Sequence, residues 1–206
     1  MLVVVGVLGF VIFGGGGTHV LGVGSDDAIP PFDFVRGHTS AVSVATNDKK
    51  VPAAAQTAAK NVTTTLDTLY TEAFLDPGNW RDGSYDEVWP LFSDQASSAA
   101  QQDASTLTVG SGGGDTYTEI FQPKGRIDVR VLMNDKSQVQ TAVAVVRFSA
   151  VGTRKDGKET LFRSSGQYFL NLGADSWQVY SFSVDRDDHV REPAPTASGS
   201  PTEQAS

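Results

Sequence analysis

The sequence predicts an α+β fold in which N-terminal helices pack on one antiparallel sheet. Four β-rich runs fill Thr116–Asp185: Tyr117–Met133, Gln138–Val151, Glu159–Leu172 and Trp177–Asp185. Only short turns separate them, at Asn134-Asp135-Lys136, Lys155-Asp156-Gly157-Lys158 and Gly173-Ala174-Asp175. Loops this short join antiparallel neighbours, because parallel pairing needs a crossover of a dozen or more residues. Ahead of the strands, Pro52–Leu75 repeats apolar residues at helical spacing.

The helix is the first convincing element. Proline suits its opening at Pro52. Ala55, Ala59, Val62, Leu66, Leu69, Tyr70, Ala73 and Phe74 then fall on one face, with Lys60, Asp67 and Glu72 elsewhere. Asp76-Pro77-Gly78 ends it, since proline disfavours α geometry at the residue before it. A helix of six turns with one apolar face needs a broad surface to lie on. Ser84-Tyr85-Asp86-Glu87 matches a capping box ahead of Val88, Trp89, Leu91 and Phe92. Pro90 breaks that run, so a short helix, a kink and a restart near Ser93 or Asp94 are expected. Gly110–Gly114 reads as a flexible link, without the lysine or the glycine spacing of a phosphate-binding loop.

Within the strands, Pro123-Lys124-Gly125 predicts a bulge or tight turn, because proline cannot donate to a ladder. Ile127, Val129 and Val131 alternate with Asp128 and Arg130, the pattern of a half-buried strand. Ala142–Phe148 is nearly continuous in apolar residues, as in a central strand covered on both faces. In Trp177–Val184 aromatics point to both faces.

Composition narrows the function classes. The 206 residues contain no cysteine, which excludes disulfides, thiolate metal sites and cysteine nucleophiles. Sixteen basic against twenty-four acidic residues give a net charge of -8. No run of Lys and Arg offers nucleic acid a basic face, so nucleic acid is not an expected partner.

Residues 1–24 carry no charged side chain, apart from what His19 can acquire, and Met1–Phe13 is almost wholly apolar. A membrane span needs about 20 apolar residues, which the full stretch reaches. Three readings compete: a transmembrane anchor, a cleaved signal peptide, and a buried helix or strand. The anchor is preferred, because Gly14–Gly17 argues against a regular soluble helix and no A-x-A cleavage signature follows. No Lys or Arg precedes the apolar run, so the true start is expected further upstream. Asp26-Asp27 flanks the run in place of a positive cluster, which predicts an extracytoplasmic remainder. Residues 25–51 read as a linker or stalk, although Ala41–Ala45 alternates weakly enough for a short strand. His38 falls there, where a lone histidine is ordinarily solvated. The domain is expected over 52–188, and 189–206, rich in Pro, Ser, Thr and Ala, as a disordered tail.

The order of elements, an amphipathic helix, a Trp-containing acidic helical hairpin, a glycine link and a meander closing on Trp177-Gln-Val-Tyr-Ser-Phe-Ser-Val184, resembles the NTF2-like superfamily. With a span and stalk in front, the chain looks like the membrane-anchored actinobacterial members, including the Mce-associated type. The resemblance implies a cone: the long helix lies across a curved antiparallel sheet and the two enclose a pocket. It specifies function hardly at all, because folds host many activities.

Ketosteroid-isomerase-like members would place a carboxylate base and a Tyr/Asp oxyanion site in such a cone, a case the physics of buried carboxyls explains. The titratable candidates are Asp67, Tyr70, Asp82, Asp86, Asp128, Arg130, Arg147 and Tyr168; Trp89 and Phe92 are pocket-wall candidates, with core packing the commoner role for such aromatics. Asp128 and Arg130 share a strand face, where a salt bridge is the ordinary outcome. Arg147 interrupts an apolar strand. No catalytic residue, metal ligand or cofactor is carried over from the family. The expected function is a membrane-tethered, extracytoplasmic accessory or assembly domain without catalytic activity, binding a protein or lipid-like partner in the cell envelope. The sheet face is the expected surface for any homo-oligomer. The rival is an enzyme or small-molecule carrier using the apolar cone, and a third reading is a secreted soluble domain.

Overall fold

The computed structural model describes residues 29–43, 51–173 and 176–191. The expectations for residues 1–28 and 192–206, the anchor and most of the tail, lie outside the described residues. In chain order the elements are β1 (Val35–Ser43), α1 (Ala53–Tyr70) with a π-helical turn (Thr71–Leu75), α2 (Pro77–Asp82) and a 3-10 turn (Trp89–Leu91). There follow α3 (Asp94–Gln102), α4 (Ala104–Leu107), α5 (Gly113–Thr116), β2 (Tyr117–Met133), β3 (Val139–Arg154), β4 (Glu159–Leu172) and β5 (Trp177–Arg191). One sheet runs in the order β1-β2-β3-β4-β5, and β2 to β5 form the expected antiparallel meander.

The periodicity of α1 becomes its packing. Ala55, Ala59, Val62, Leu66, Leu69 and Tyr70 are all buried, and the helix lies across the sheet against β1, β2, β3 and β5. Each buried leucine contributes about 2 kcal/mol. Pro52 stands just outside, as the extended residue before the first turn. The helix runs on through Leu75, where the Asp76 amide donates to Thr71 O at 2.9 Å. Asp76 then caps α2, its carboxylate accepting from the Gly78 amide at 2.8 Å. The break before Pro77 thus ends one helix and opens another.

Five expectations change. The segment read as a stalk holds β1, which pairs in parallel with β2 (Thr39 opposite Val129, Ala41 opposite Val131). The helices between β1 and β2 supply the crossover that parallel pairing needs, and Phe34, just before β1, is 4% exposed. At the other end β5 continues to Arg191, past the expected boundary at residue 188. It is held opposite Glu159, whose carboxylate accepts from Arg191 Nε at 2.8 Å. The segment after Ser84 forms turns rather than a capped helix, with the Val88 amide donating to Tyr85 O at 2.9 Å; the restart at Asp94 after Ser93 holds.

The glycine link is packed. A Cβ at Gly113 would lie 2.6 Å from Trp80 O, and one at Gly114 would meet Arg81 O, so glycine there permits α5 to touch α2. Finally, Ala142–Phe148 is covered on one face only. Ala142, Ala144, Val146 and Phe148 are buried under α1, whereas Val143, Val145 and Arg147 stand on the far face. The bulge near Pro123 is present as a register shift between Phe121 and Lys124, with Gln122 at φ 51°.

Candidate functional site

Two surfaces compete as the functional site: the interior between α1 and the sheet, and the open outer face of the sheet. The interior is occupied by side chains. Tyr70 and Phe74, from the end of α1 and its π-helical turn, meet Phe148 of β3 with ring centroids 4.8 and 5.2 Å away. Phe34 closes on Tyr70 at 5.1 Å, and Phe162 of β4 on Tyr117 at 5.1 Å. The last two pairs are edge-to-face, an arrangement favourable beyond the area buried.

Tyr70 and Tyr168, both expected in the pocket, meet in this packed interior. The Tyr168 hydroxyl donates to Tyr70 Oη at 3.3 Å, and the Tyr70 and Ser164 hydroxyls are hydrogen-bonded at 2.9 Å, with either able to donate. Burial raises the pKa of Tyr70, against the hydrogen bonds to Ser164 and Tyr168. Burial, with Tyr70 beside it, raises that of Tyr168 well above 10.0. The trio is three neutral hydroxyls satisfying one another inside an apolar core, where an unpaired hydroxyl is costly. It holds no group that takes a proton near neutral pH.

Asp67, on α1, is a partly buried acid whose carboxyl is shifted upward. Its pKa rises from 3.8 to about 6, chiefly by burial, with Asp33 adding to the rise and the Phe34 amide and Arg36 opposing it. Its carboxylate accepts from the Phe34 amide at 2.7 Å. Its visible task is therefore to fasten the entry of β1 to α1.

Arg186 of β5 covers two rings of the interior. Its guanidinium lies over Phe162 and Phe74, 5.2 and 5.7 Å from the ring centroids. It donates to Ser105 O at 2.8 Å and to Thr108 O, and pairs with Asp188 at 2.6 Å. Only 12% of the side chain is exposed. Trp89 and Phe92 are wall residues of the hairpin: their rings are 6.4 Å apart, and Phe92 packs on Phe182 at 5.8 Å. Asp82 and Asp86 are exposed. The interior reading thus places Tyr70, Tyr168 and Phe92 in the core, with Trp89 at its edge.

Asp128, Arg130 and Arg147 lie on the opposite side of the sheet, so the structure does not bring them to Tyr70 and Tyr168. Asp128 pairs with Arg126, at 3.6 Å, and not with Arg130; it also accepts from the His38 amide at 2.5 Å. Asp128 and Arg130 line a depression of about 370 Å³ with His38, Val143, Val145 and Phe169. Next to it is an open groove of about 610 Å³, bounded by Val35, Lys124, Arg126, Arg147 and Arg163.

Strand register builds that groove. Arg126 stands opposite Arg147, and Arg147 opposite Ser165. One pleat along, Lys124 stands opposite Ser149, and Ser149 opposite Arg163. Among the described residues no hydrogen bond or ion pair engages the side chains of Lys124, Arg147 or Arg163. Asp187 is the register partner of Arg163, but its carboxylate is 2.8 Å from His189 Nε2. Sequence reasoning singled out Arg147 alone from this set. The missing signal was the pairing of hairpins, since the turns at 134–138 and 155–158 place basic residues from three strands on one face.

Among the described residues no group of three or more His, Asp or Glu side chains could hold a metal ion. No described helix is long and apolar enough to cross a membrane.

No family model matches the chain, and no curated protein matches it. The crystal structure of a hexachlorocyclohexane dehydrochlorinase of type 2 is similar to it with a TM-score of 0.42 and 10% identity. That likeness covers 71% of this chain and 96% of that one. It is too slight to carry residues or an activity across.

Proposed function

We propose that this chain is a non-catalytic binding module with an NTF2-like architecture, tethered to a membrane by residues 1–24 and working in the cell envelope through the outer face of its sheet. The observation that carries this reading is the division of the two faces. The inner face is filled by mutually packed rings, whereas the outer face leaves Val143, Val145, Phe169 and Tyr180 uncovered by any described helix. Val145 and Tyr180 are each 38% exposed. Apolar residues rimmed by Arg130 and Arg147 suit a partner that covers them, since interfaces combine an apolar centre with a charged rim.

The order of helix, helical hairpin and meander supports the NTF2-like part. The membrane-anchored, Mce-associated part rests on the uncharged residues 1–24 and the acidic pair after them. β1 shortens the tether in this reading: Phe32 already packs against the core, which leaves residues 25–31 between span and domain. Seven extended residues reach at most about 25 Å, so the domain rides close to the bilayer.

Photo-cross-linking from single positions in the native envelope tests the reading. A cross-linker at Val145 is expected to give a discrete adduct, and one at exposed Lys60 on α1 to give none. Equal labelling from both positions, or from neither, refutes the outer face as the working surface. Loss of membrane association on deleting residues 1–24 is expected; its persistence refutes the tether.

A further inference from the structure

The groove at the start of β1 is the strongest unassigned feature. Lys124, Arg126, Arg147 and Arg163 converge on it in a chain whose net charge is -8. Arg126 is partly neutralised by Asp128, which leaves three cations on neighbouring strands without a described partner. Arg147 and Arg163 are diagonal neighbours on β3 and β4, a relation that places side-chain origins about 7–8 Å apart. Like charges that close repel one another unless an anion sits between them.

Position identifies which anion. Val35, the first residue of β1, lines the same groove and is 67% exposed. The chain therefore enters the fold beside the cations, and the short tether arrives at that end. On the reading above, which this inference rests on, the groove is the part of the domain held nearest the bilayer. We infer that the groove of Lys124, Arg126, Arg147 and Arg163 binds the phosphates of anionic phospholipid headgroups and so fixes the orientation of the tethered domain on its membrane.

Guanidinium groups suit this task, because their fork donates two hydrogen bonds to one phosphate. The aliphatic stems and Val35 offer apolar contact at headgroup depth. Carboxylates on the same face temper the attraction. Asp128 is engaged by Arg126 and Asp187 by His189, while exposed Asp185 stands across β4–β5 from Ser165. Cations near an anionic surface each add about fivefold to binding, within the reach of a Debye length.

The absence of cysteine makes a single-site probe clean. The full-length chain carrying Ser165→Cys, labelled with an environment-sensitive dye, is mixed with vesicles of neutral phosphatidylcholine or with vesicles containing phosphatidylglycerol. A blue shift is expected on the anionic vesicles alone, reversed by high salt. In the Arg147→Gln/Arg163→Gln variant it should need about 20-fold more anionic lipid. Lys60→Gln, on the exposed face of α1, should leave it unchanged. Flotation of the same samples reads the tether separately. Flotation with both vesicle types but no dye shift on either overturns the groove and leaves the tether standing. A shift on anionic vesicles without flotation on neutral ones supports the groove and overturns the tether. A shift with inorganic pyrophosphate and none with anionic vesicles overturns the lipid in favour of a soluble phosphate. Neither flotation nor shift overturns both.

Discussion

Replacing Asp67 by asparagine separates two effects of its carboxyl. The group accepts the Phe34 amide hydrogen at 2.7 Å, which stabilises the entry of β1, and it is partly desolvated, which opposes its charge. Burial is the larger influence and raises the pKa from 3.8 to about 6, with Asp33 adding and Arg36 opposing. Because the folded pKa lies above the unfolded one, the folded state binds the extra proton between about pH 4 and pH 6. Stability from this group is therefore greatest below the unfolded pKa and is lost as pH rises through about 6.

Transferred whole, a shift of that size corresponds to about 3 kcal/mol. The residue is only half-buried, and solvent screening reduces this to about 1 kcal/mol. Asparagine keeps an acceptor for the Phe34 amide without the charge. Asp67→Asn should therefore be more stable at pH 7 by about 1 kcal/mol, a rise of about 2–4 °C in Tm for a domain of this size. It should also flatten the fall in stability between pH 4 and pH 6. Asp67→Ala leaves the amide without its acceptor and should lose about 1 kcal/mol at pH 7. Urea denaturation of the three proteins at pH 4, 5, 6 and 7 measures both quantities. If Asp67→Asn is as destabilised as Asp67→Ala at pH 7 and the slope is unchanged, the assignment of a desolvated carboxyl is refuted.

Arg186→Ala removes the lid over Phe74 and Phe162 and strips the partner from Asp188; a loss of about 2–4 kcal/mol is expected by urea denaturation, with increased binding of an apolar dye. Tyr70→Phe leaves the Ser164 and Tyr168 hydroxyls without their shared partner and should cost about 1–3 kcal/mol in the same assay, more than Tyr168→Phe, which removes only a terminal donor. Gly113→Ala forces a Cβ to 2.6 Å from Trp80 O and should cost about 1–3 kcal/mol through displacement of α5 from α2. An unchanged Tm in that variant would show that the two helices do not need the close approach.

The strands and the long helix were legible because each carries its own period. Ile127, Val129 and Val131 mark one face at a spacing of two, and Val62, Leu66 and Leu69 mark one at spacings of three and four. β1 was legible only at its end, where Ala41–Ser43 alternates weakly: Gly37 and a register shift between Arg36 and Thr39 interrupt the rest, and its partner lies some ninety residues away. The apolar run Ala142–Phe148 misled for a different reason. Continuous apolar character usually means two covered faces, yet here Val143 and Val145 are on an open one. The Asp128–Arg130 pair failed because a cross-pleat neighbour, Arg126, is equally close in sequence and took the carboxylate. Tyr70 and Tyr168, named as pocket candidates, are buried, but sequence periodicity could not distinguish a pocket wall from a packed core. That depends on whether Phe34, Phe148 and Phe162 fill the space between them.

This filling constrains where a ligand can act. Tyr70 is in ring contact with Phe34, Phe74, Phe148 and Tyr168 at once, and Arg186 is anchored over the neighbouring rings by two backbone carbonyls and a carboxylate. Admitting a ligand there would require breaking several buried contacts together, each worth a sizeable part of a stability that is only about 5–15 kcal/mol in all. The outer face demands no such rearrangement. Its apolar residues and its cations are already at the surface, and three of those cations, Lys124, Arg147 and Arg163, have no described side-chain partner. The two faces of β3 thus divide the labour by parity: its even-numbered residues from 142 to 150 hold the fold together. Its odd-numbered residues, Val143, Val145 and Arg147, stand on the uncovered face, the one proposed above to meet a partner. Substitutions at the two sets should consequently separate stability from binding, which a shared internal pocket would not permit.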